Sequence, residues 1–176
     1  MSFWNFFKNK KKDSQEPDKT SISDESSLDL IFAKNFTESG GRFIYLDQEN
    51  STKDVFEKII VENNWEIDNV CSLDQDTSKN LDIRLIRNID NEKVKALVTG
   101  CEYLLSNSGR ILICNKQINN NKIENLPPVV IILARMDQFV SDLSEGMTKL
   151  KYKYKTNKHL NVAIFINQKI IIYIKI

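Results

Sequence analysis

The densest group of side chains able to bind a ligand lies between Ser106 and Arg110. Asn, Ser and Gly favour a tight turn, because their side chains bond nearby backbone or tolerate bent conformations. The backbone amides of such a turn can form a concave nest for an anion, and hydroxyl and guanidinium groups add donors. We therefore predict that Ser106, Asn107, Ser108, Gly109 and Arg110 bind a small carboxylate or phosphate. The alternative is a plain connector with exposed polar side chains.

Glu102 is the best candidate for a catalytic carboxylate. It closely follows the predicted strand at 96–98. Thr99 and Gly100, which lie between that strand and Glu102, are predicted to bind the same ligand as the turn at Ser106–Arg110. A carboxylate in this place can act as a nucleophile or exchange protons with a substrate. The alternative is a solvated glutamate in the first turn of a helix, where the helix dipole favours it.

The remaining reactive residue types predict no metal site and no cofactor. Cys71, Cys101 and Cys114 are too widely spaced for a zinc or redox pair, so we expect small buried hydrophobic residues. His159 stands alone in a polar segment. Phosphate-binding loops, dinucleotide fingerprints and serine-nucleophile motifs do not occur in the sequence.

Composition bounds the class of protein. The 176 residues suit one domain with tails, and 41% hydrophobic content allows a substantial core. The net charge of +1 provides no basic field to attract nucleic acid. No apolar run reaches the roughly 18–20 residues of a membrane span. The odd number of cysteines favours a reducing compartment, and we expect the protein in the cytoplasm.

These candidate residues are set in alternating strands and helices, which predicts an α/β fold with an open sheet flanked by helices. The run Cys101–Leu105 is expected to form a helical turn. Predicted strands cover 43–46, 70–73, 96–98, 111–114 and 129–134. Helices are expected from near Ser23 to Gly40, from a capping box of Ser51 and Asp54 to Asn63, and from Asp137 to Leu150.

Three segments follow from composition. Residues 1–22 carry aromatics followed by lysines, which predicts a flexible tail with at most weak contact to a membrane surface. Residues 23–152 form the predicted α/β domain. Residues 153–176 are rich in Lys and Ile and form an atypical tail, which could be a hairpin, a closing strand, or the product of a shifted reading frame.

The core of the sequence resembles one known family. The resemblance is carried by Thr99-Gly100-Cys101-Glu102-Tyr103-Leu104, the Ser/Gly turn, Pro127-Pro128 before an apolar strand, and the helix to Leu150. It is similar to the lactate-utilisation (LUD) domain of the lactate-utilisation protein C type, in a Bacteroidetes-type form. The resemblance implies a three-layer, Rossmann-like fold of the NagB/RpiA/coenzyme A transferase group. It also implies a role in oxidising L-lactate to pyruvate beside iron–sulfur partner proteins.

Departures from the family pattern leave three functional hypotheses. The family turn usually has an acidic residue and small hydroxyl residues, where this chain has Asn107-Ser108-Gly109-Arg110. The family histidine after the double proline corresponds to Val130, and a Gly-Pro-Ser segment near the C-terminus has no counterpart. The first hypothesis is an accessory subunit of lactate oxidation that binds partners or a small organic anion. The others are a coenzyme A transferase-like or phosphosugar enzyme that uses Glu102, and a degenerate, non-catalytic paralogue.

Overall fold

A computed structural model describes residues 27–46, 51–89, 93–155, 161–165 and 169–175. Four helices and ten strands lie within these ranges. The helices are α1 (Leu28–Glu38), α2 (Thr52–Glu62), α3 (Gln75–Leu81) and α4 (Leu143–Lys153). The strands are β1 (Arg42–Leu46), β2 (Val70–Ser72), β3 (Arg84–Leu85), β4 (Ala96–Gly100), β5 (Tyr103–Leu105), β6 (Arg110–Cys114), β7 (Val129–Arg135), β8 (Phe139–Val140), β9 (Val162–Phe165) and β10 (Lys169–Lys175).

The strands form two sheets. The main sheet has six parallel strands in the order β1-β10-β7-β4-β2-β3. The second sheet has four strands in the order β8-β5-β6-β9, and β6 runs antiparallel to both of its neighbours. The parallel sheet with its flanking helices confirms the predicted α/β class.

Strand β7 shows why the sequence gives a parallel sheet. Its run of β-branched residues places Val130, Ile131 and Ile132 at 0% exposure, with side chains buried on both faces. A strand covered on both faces is typical of parallel sheets, which need layers on each side. The predicted strand at 129–134 is confirmed.

The two faces of the main sheet have different covers. On one face, Phe56 and Ile59 of α2 and Leu81 of α3 share a core with Val98 and Ile131. On the other face, α1 and the second sheet contribute the cover, and Leu104 and Ile111 join that core. The sequence predicted helices as the flanking layers, so the second sheet is an addition that the structure reveals.

Helix α4 packs on the far side of the second sheet. A side chain at Gly146 would come within 3.3 Å of Leu105 and Leu112, so the glycine allows a close approach of helix to sheet. Helix α4 is thereby held against β5 and β8 of the second sheet.

The local helix signals were predicted well at the second helix. The Ser51 hydroxyl accepts a hydrogen bond from the Asp54 amide at 3.1 Å, and the Asp54 carboxylate accepts one from the Ser51 amide at 3.2 Å. The predicted capping box is confirmed. Gly40 follows α1 with φ of 88°, a conformation that glycine adopts without strain.

Two local predictions were wrong. Cys101–Leu105 does not form a helical turn, because Tyr103–Leu105 pair with β6 on one side and β8 on the other. Asp137 does not cap the last helix, since its carboxylate binds Arg135 at 3.0 Å. The cap is Asp142, which accepts from the Glu145 amide at 2.9 Å.

The segment predicted as an atypical tail contributes strands to both sheets. β9 pairs with β6, and β10 lies between β1 and β7 in the main sheet. The two strands belong to different sheets, so they do not form the hairpin that the sequence allowed. The sheet therefore extends past the domain boundary predicted at residue 152. The N-terminal tail predicted for residues 1–22 lies outside the described residues.

Candidate functional site

Glu102 occupies the junction between the two sheets, just after β4. Its side chain is 0% exposed. The carboxylate accepts hydrogen bonds from Lys153 Nζ at 2.8 Å, Tyr154 Oη at 2.8 Å, Gln117 Nε2 at 2.6 Å and Cys114 Sγ at 3.2 Å. We call these five residues the Glu102 cluster.

The backbone around Glu102 is fixed from two sides. The Glu102 amide donates to the Leu112 carbonyl at 2.8 Å, which ties it to β6. The Gln138 side chain is buried and donates to the Cys101 carbonyl at 2.6 Å. These bonds place the carboxylate between the loop after β6 and the end of α4.

Electrostatics keep the Glu102 carboxylate charged. Burial raises its pKa, but hydrogen bonds from Lys153, Gln117, Tyr154 and Cys114 outweigh burial and hold the pKa below its ordinary value. Burial, reinforced by the neighbouring carboxylate, raises the pKa of Tyr154. Burial likewise raises the pKa of Cys114, so its thiol remains a donor. At neutral pH the cluster contains one anion and the Lys153 cation.

Thr99 and Gly100 are the last two residues of β4 and lie just before Glu102 in the chain. Thr99 donates from its hydroxyl to the Gln117 carbonyl at 2.8 Å, while the Gln117 side chain reaches Glu102. Gly100 is the last residue of β4 and pairs with Leu133. The structure therefore brings Thr99 and Glu102 together through one glutamine.

The Ser106–Gly109 turn lies apart from that cluster, at the opposite end of β5. It joins β5 to β6 in the second sheet, so it is not at an edge of the parallel sheet. The amides of Ser106 and Asn107 donate to the carbonyls of Val140 and Ser141, each at 2.9 Å, and the Ser108 amide donates to Leu105 at 3.3 Å. These three amides are therefore engaged within the chain and do not form the predicted nest.

Helix α1 closes the same turn from the other side. The Asn35 side chain donates to the Ser106 carbonyl at 2.8 Å. Gly109 has φ of 61°, and a Cβ there would come within 2.5 Å of the Phe36 amide nitrogen. The Ser106 hydroxyl is buried and has no partner among the described residues. Arg110 and Asn107 are exposed and Ser108 is partly buried, so an anion at this turn would meet the side chains of these three residues.

Sequence reasoning missed the donors of the Glu102 cluster. Lys153 and Tyr154 follow Glu102 by 51 and 52 residues, and no local pattern connects them. The alternation of Lys and Tyr from Lys151 to Lys155 was the visible signal. Val130, at the position of the family histidine, is fully buried in the main sheet, and His159 lies outside the described residues.

One cavity opens beside the asparagine-rich loop. It has a volume of about 280 Å³, at the small end for ligand pockets. Its polar groups are carboxamides and the Lys122 ammonium, which pairs with Glu124 at 3.5 Å. The lining residues are Asn115, Ile118, Asn120, Asn121, Lys122, Ile123, Asn161 and Val162.

The cysteines are buried and unpaired, as predicted. Burial raises the pKa of Cys71 to about 11 and that of Cys101 to about 12, so both remain thiols at neutral pH. Among the described residues, no three His, Cys, Asp or Glu side chains come together in a way that could hold a metal ion. The same residues include no helix long and apolar enough to cross a membrane.

A parallel sheet flanked by helices, with a charged cluster at the end of one inner strand, defines an α/β protein of Rossmann-like architecture. The model of the LUD domain family matches residues 31–169, so this chain belongs to that family. Membership supports a role related to lactate utilisation in general terms.

A solved structure has the same fold. The crystal structure of a DUF162 family protein from Deinococcus radiodurans aligns with a TM-score of 0.59 at 14% identity, covering 84% of this chain and 96% of that one. No curated protein matches the sequence. The structural likeness concerns the fold alone.

Proposed function

We propose that this chain is a non-catalytic accessory subunit in the oxidation of L-lactate to pyruvate, acting beside iron–sulfur partner proteins. Membership of the LUD domain family supports the link to lactate. The observation that carries the accessory role is the Glu102 carboxylate, which is fully buried and bound by four donors. Three of these donors, from Cys114, Gln117 and Tyr154, reach Oε1 and the Lys153 ammonium reaches Oε2, so both carboxylate oxygens are already bound within the chain.

An enzyme that uses Glu102 is the second candidate. A group of titratable side chains with shifted pKa values, such as Glu102, Cys114 and Tyr154, is typical of catalytic sites. A nucleophile, however, has to meet its substrate. A substrate would first displace hydrogen bonds to a charged group, at about 1.5–3 kcal/mol each. The accessory role is therefore the better supported of the two.

Gene deletion in the source organism tests the proposal. Loss of the coding region should abolish growth on L-lactate as the sole carbon source and leave growth on pyruvate unchanged. Unchanged growth on L-lactate would contradict the proposal and favour a degenerate paralogue. A copy with Glu102→Gln that folds should restore growth if the role is accessory, and should fail if Glu102 is a nucleophile.

We also propose that any small organic anion binds through Arg110 and Ser108. Arg110→Ala should weaken such binding by about tenfold or more, since a hydrogen bond to a charged group contributes about 1.5–3 kcal/mol. Ser108→Ala should cause a smaller loss of affinity, because the serine hydroxyl is an uncharged donor whereas the Arg110 guanidinium is charged. Thermal-shift titration with L-lactate, pyruvate, coenzyme A and a sugar phosphate measures both. Equal shifts in wild type and Arg110→Ala would mean that the turn is only a connector.

A further inference from the structure

The end of α4 and the loop after β6 carry a concentration of lysine and tyrosine side chains. The Lys116 ammonium lies 4.3 Å from the centre of the Tyr154 ring, and the Lys155 ammonium lies 5.1 Å from that of Tyr152. Both distances suit cation–π contacts. We call Lys116, Lys151, Tyr152, Lys153, Tyr154 and Lys155 the cation–aromatic patch.

This patch has an excess of positive charge. Lys153 is matched by Glu102 at 2.8 Å. Lys116, Lys151 and Lys155 are exposed and have no ion pair among the described residues. One turn earlier on α4, in contrast, Lys149 is paired with Glu145 at 2.8 Å. Lysines at the end of a helix favour its dipole, but Lys116 comes from another segment and adds charge that the dipole does not require.

An apolar stripe leads into the patch along α4. Leu143 and Met147 are one turn apart and are 42% and 41% exposed. The next residue at the same helical spacing is Lys151, so the stripe and the patch share one face of the helix. Tyr152 beside it is 65% exposed. Within the described structure, this face has apolar contacts to offer at one end and positive charge at the other.

Nucleic acid fits this surface poorly. Binding of single strands uses several exposed aromatic rings on which successive bases stack. Tyr152 lies in the last turn of α4, whereas Tyr154 follows the end of the helix. The Tyr154 hydroxyl also binds the buried Glu102, which leaves Tyr152 as the exposed ring of the patch. The chain as a whole carries a charge of only +1.

We propose that the exposed face of α4 docks an acidic, amphipathic segment of a partner protein. Acidic side chains of that segment would pair with Lys116, Lys151 and Lys155, while its apolar side chains cover Leu143 and Met147. Such complementarity guides the rate and specificity of association. This inference rests on the proposed accessory role and identifies the surface through which the accessory subunit would bind its partner.

A short fluorescein-labelled peptide with Glu and Leu at helical spacing is the probe, and a scrambled peptide of equal composition is its control. Fluorescence anisotropy with wild-type protein should show binding that weakens as salt rises, and tighter binding of the amphipathic order. The test variant is Lys151→Glu/Lys155→Glu. The matched control is Lys34→Glu/Lys58→Glu, which makes the same charge change at exposed positions of α1 and α2. Circular dichroism establishes that each variant folds.

The expected result is a loss of about tenfold or more in affinity for Lys151→Glu/Lys155→Glu, and little change for the control variant. Met147→Ser should also weaken binding, by a smaller factor. Equal affinity in the two double variants would overturn the proposal, as would equal affinity for the scrambled peptide. Tighter binding of oligothymidylate or of phosphatidylserine vesicles through the same lysines would overturn it in favour of those ligands.

The surface and the accessory role can fail separately. If Lys151→Glu/Lys155→Glu restores growth of the deletion strain on L-lactate, the assigned surface is wrong and the accessory role stands. If the deletion strain grows normally on L-lactate, the accessory role fails, whatever the peptide measurements show.

Discussion

The Glu102 cluster and the Ser106–Gly109 turn are separated by a single short strand, yet they are held in opposite ways. Side chains from distant segments hold the Glu102 carboxylate, whereas main-chain bonds and the packing of α1 hold the turn. The Glu102 cluster is therefore stabilised mainly by charged hydrogen bonds, and the turn mainly by backbone hydrogen bonds and close packing. Polar residues that look alike in sequence therefore differ in how much stability their loss should cost.

The largest effect is expected for Glu102→Ala. This change leaves the buried Cys114 and the partly buried Gln117 and Tyr154 without their acceptor. At about 1–3 kcal/mol for each unsatisfied donor, we expect a loss of about 3–5 kcal/mol in the free energy of unfolding. Urea denaturation measures it. Glu62→Ala is the control, because Glu62 forms an exposed ion pair with Arg42; a loss of at most about 1 kcal/mol is expected there. Similar losses in both variants would contradict the prediction that the buried Glu102 carboxylate stabilises the fold more than an exposed ion pair does.

Gly109→Ala tests the turn with the next largest effect. The positive φ and the approach to α1 both oppose a side chain, so we expect a loss of about 2–3 kcal/mol. Gly40→Ala is the matched control: Gly40 also has a positive φ, but a Cβ at that position would meet no heavy atom within 4 Å. Its loss should be about 1 kcal/mol. If thermal denaturation gives equal losses, packing against α1 contributes nothing.

Lys153→Met links the Glu102 cluster to pH. Glu102 has a folded-state pKa below its ordinary value, so its stabilisation is full above about pH 4.5 and is lost as the pH falls through the folded pKa. Without the ammonium group that pKa rises, so the variant should lose stability at a higher pH than wild type. The cost at pH 7 should be only about 1–2 kcal/mol, since Lys153 is half exposed and water screens the pair.

Urea midpoints measured from neutral to acid pH give both the stability cost of Lys153→Met at pH 7 and the pH at which the variant loses stability. Superimposable pH profiles for wild type and variant would show that the lysine does not tune Glu102. Lys151→Met, which removes an exposed lysine without an ion pair among the described residues from the same helix, controls for the loss of a surface charge.

The smallest effect is expected for Ser106→Ala. A buried hydroxyl without a partner costs stability, so its removal should raise the free energy of unfolding by about 1 kcal/mol. Ser78→Ala is the opposite control, since the buried Ser78 hydroxyl donates to Ile83 at 2.6 Å and its loss should destabilise. Destabilisation by both changes would indicate that Ser106 has a partner in solution.

Sequence predicted the features that depend on neighbouring residues. The capping box at Ser51, the apolar strand at 129–134 and the turn at Ser106 follow from side-chain chemistry within a few positions. The Glu102 cluster could not be predicted, because its donors come from two segments, 114–117 and 153–154, that are distant from each other and from Glu102 along the chain. The second sheet was missed for the same reason: its pairing is a property of the folded chain.

The position of β10 has a consequence for how the chain folds. Among the described residues, β1 meets the main sheet only through β10, which comes more than a hundred positions later in the chain. Strand β1 therefore gains a partner in the main sheet only after β10 has been made. Pairings between such distant segments slow folding. During synthesis the edges of β1 and β7 that pair with β10 stay open until β10 emerges, and open strand edges favour association with other chains.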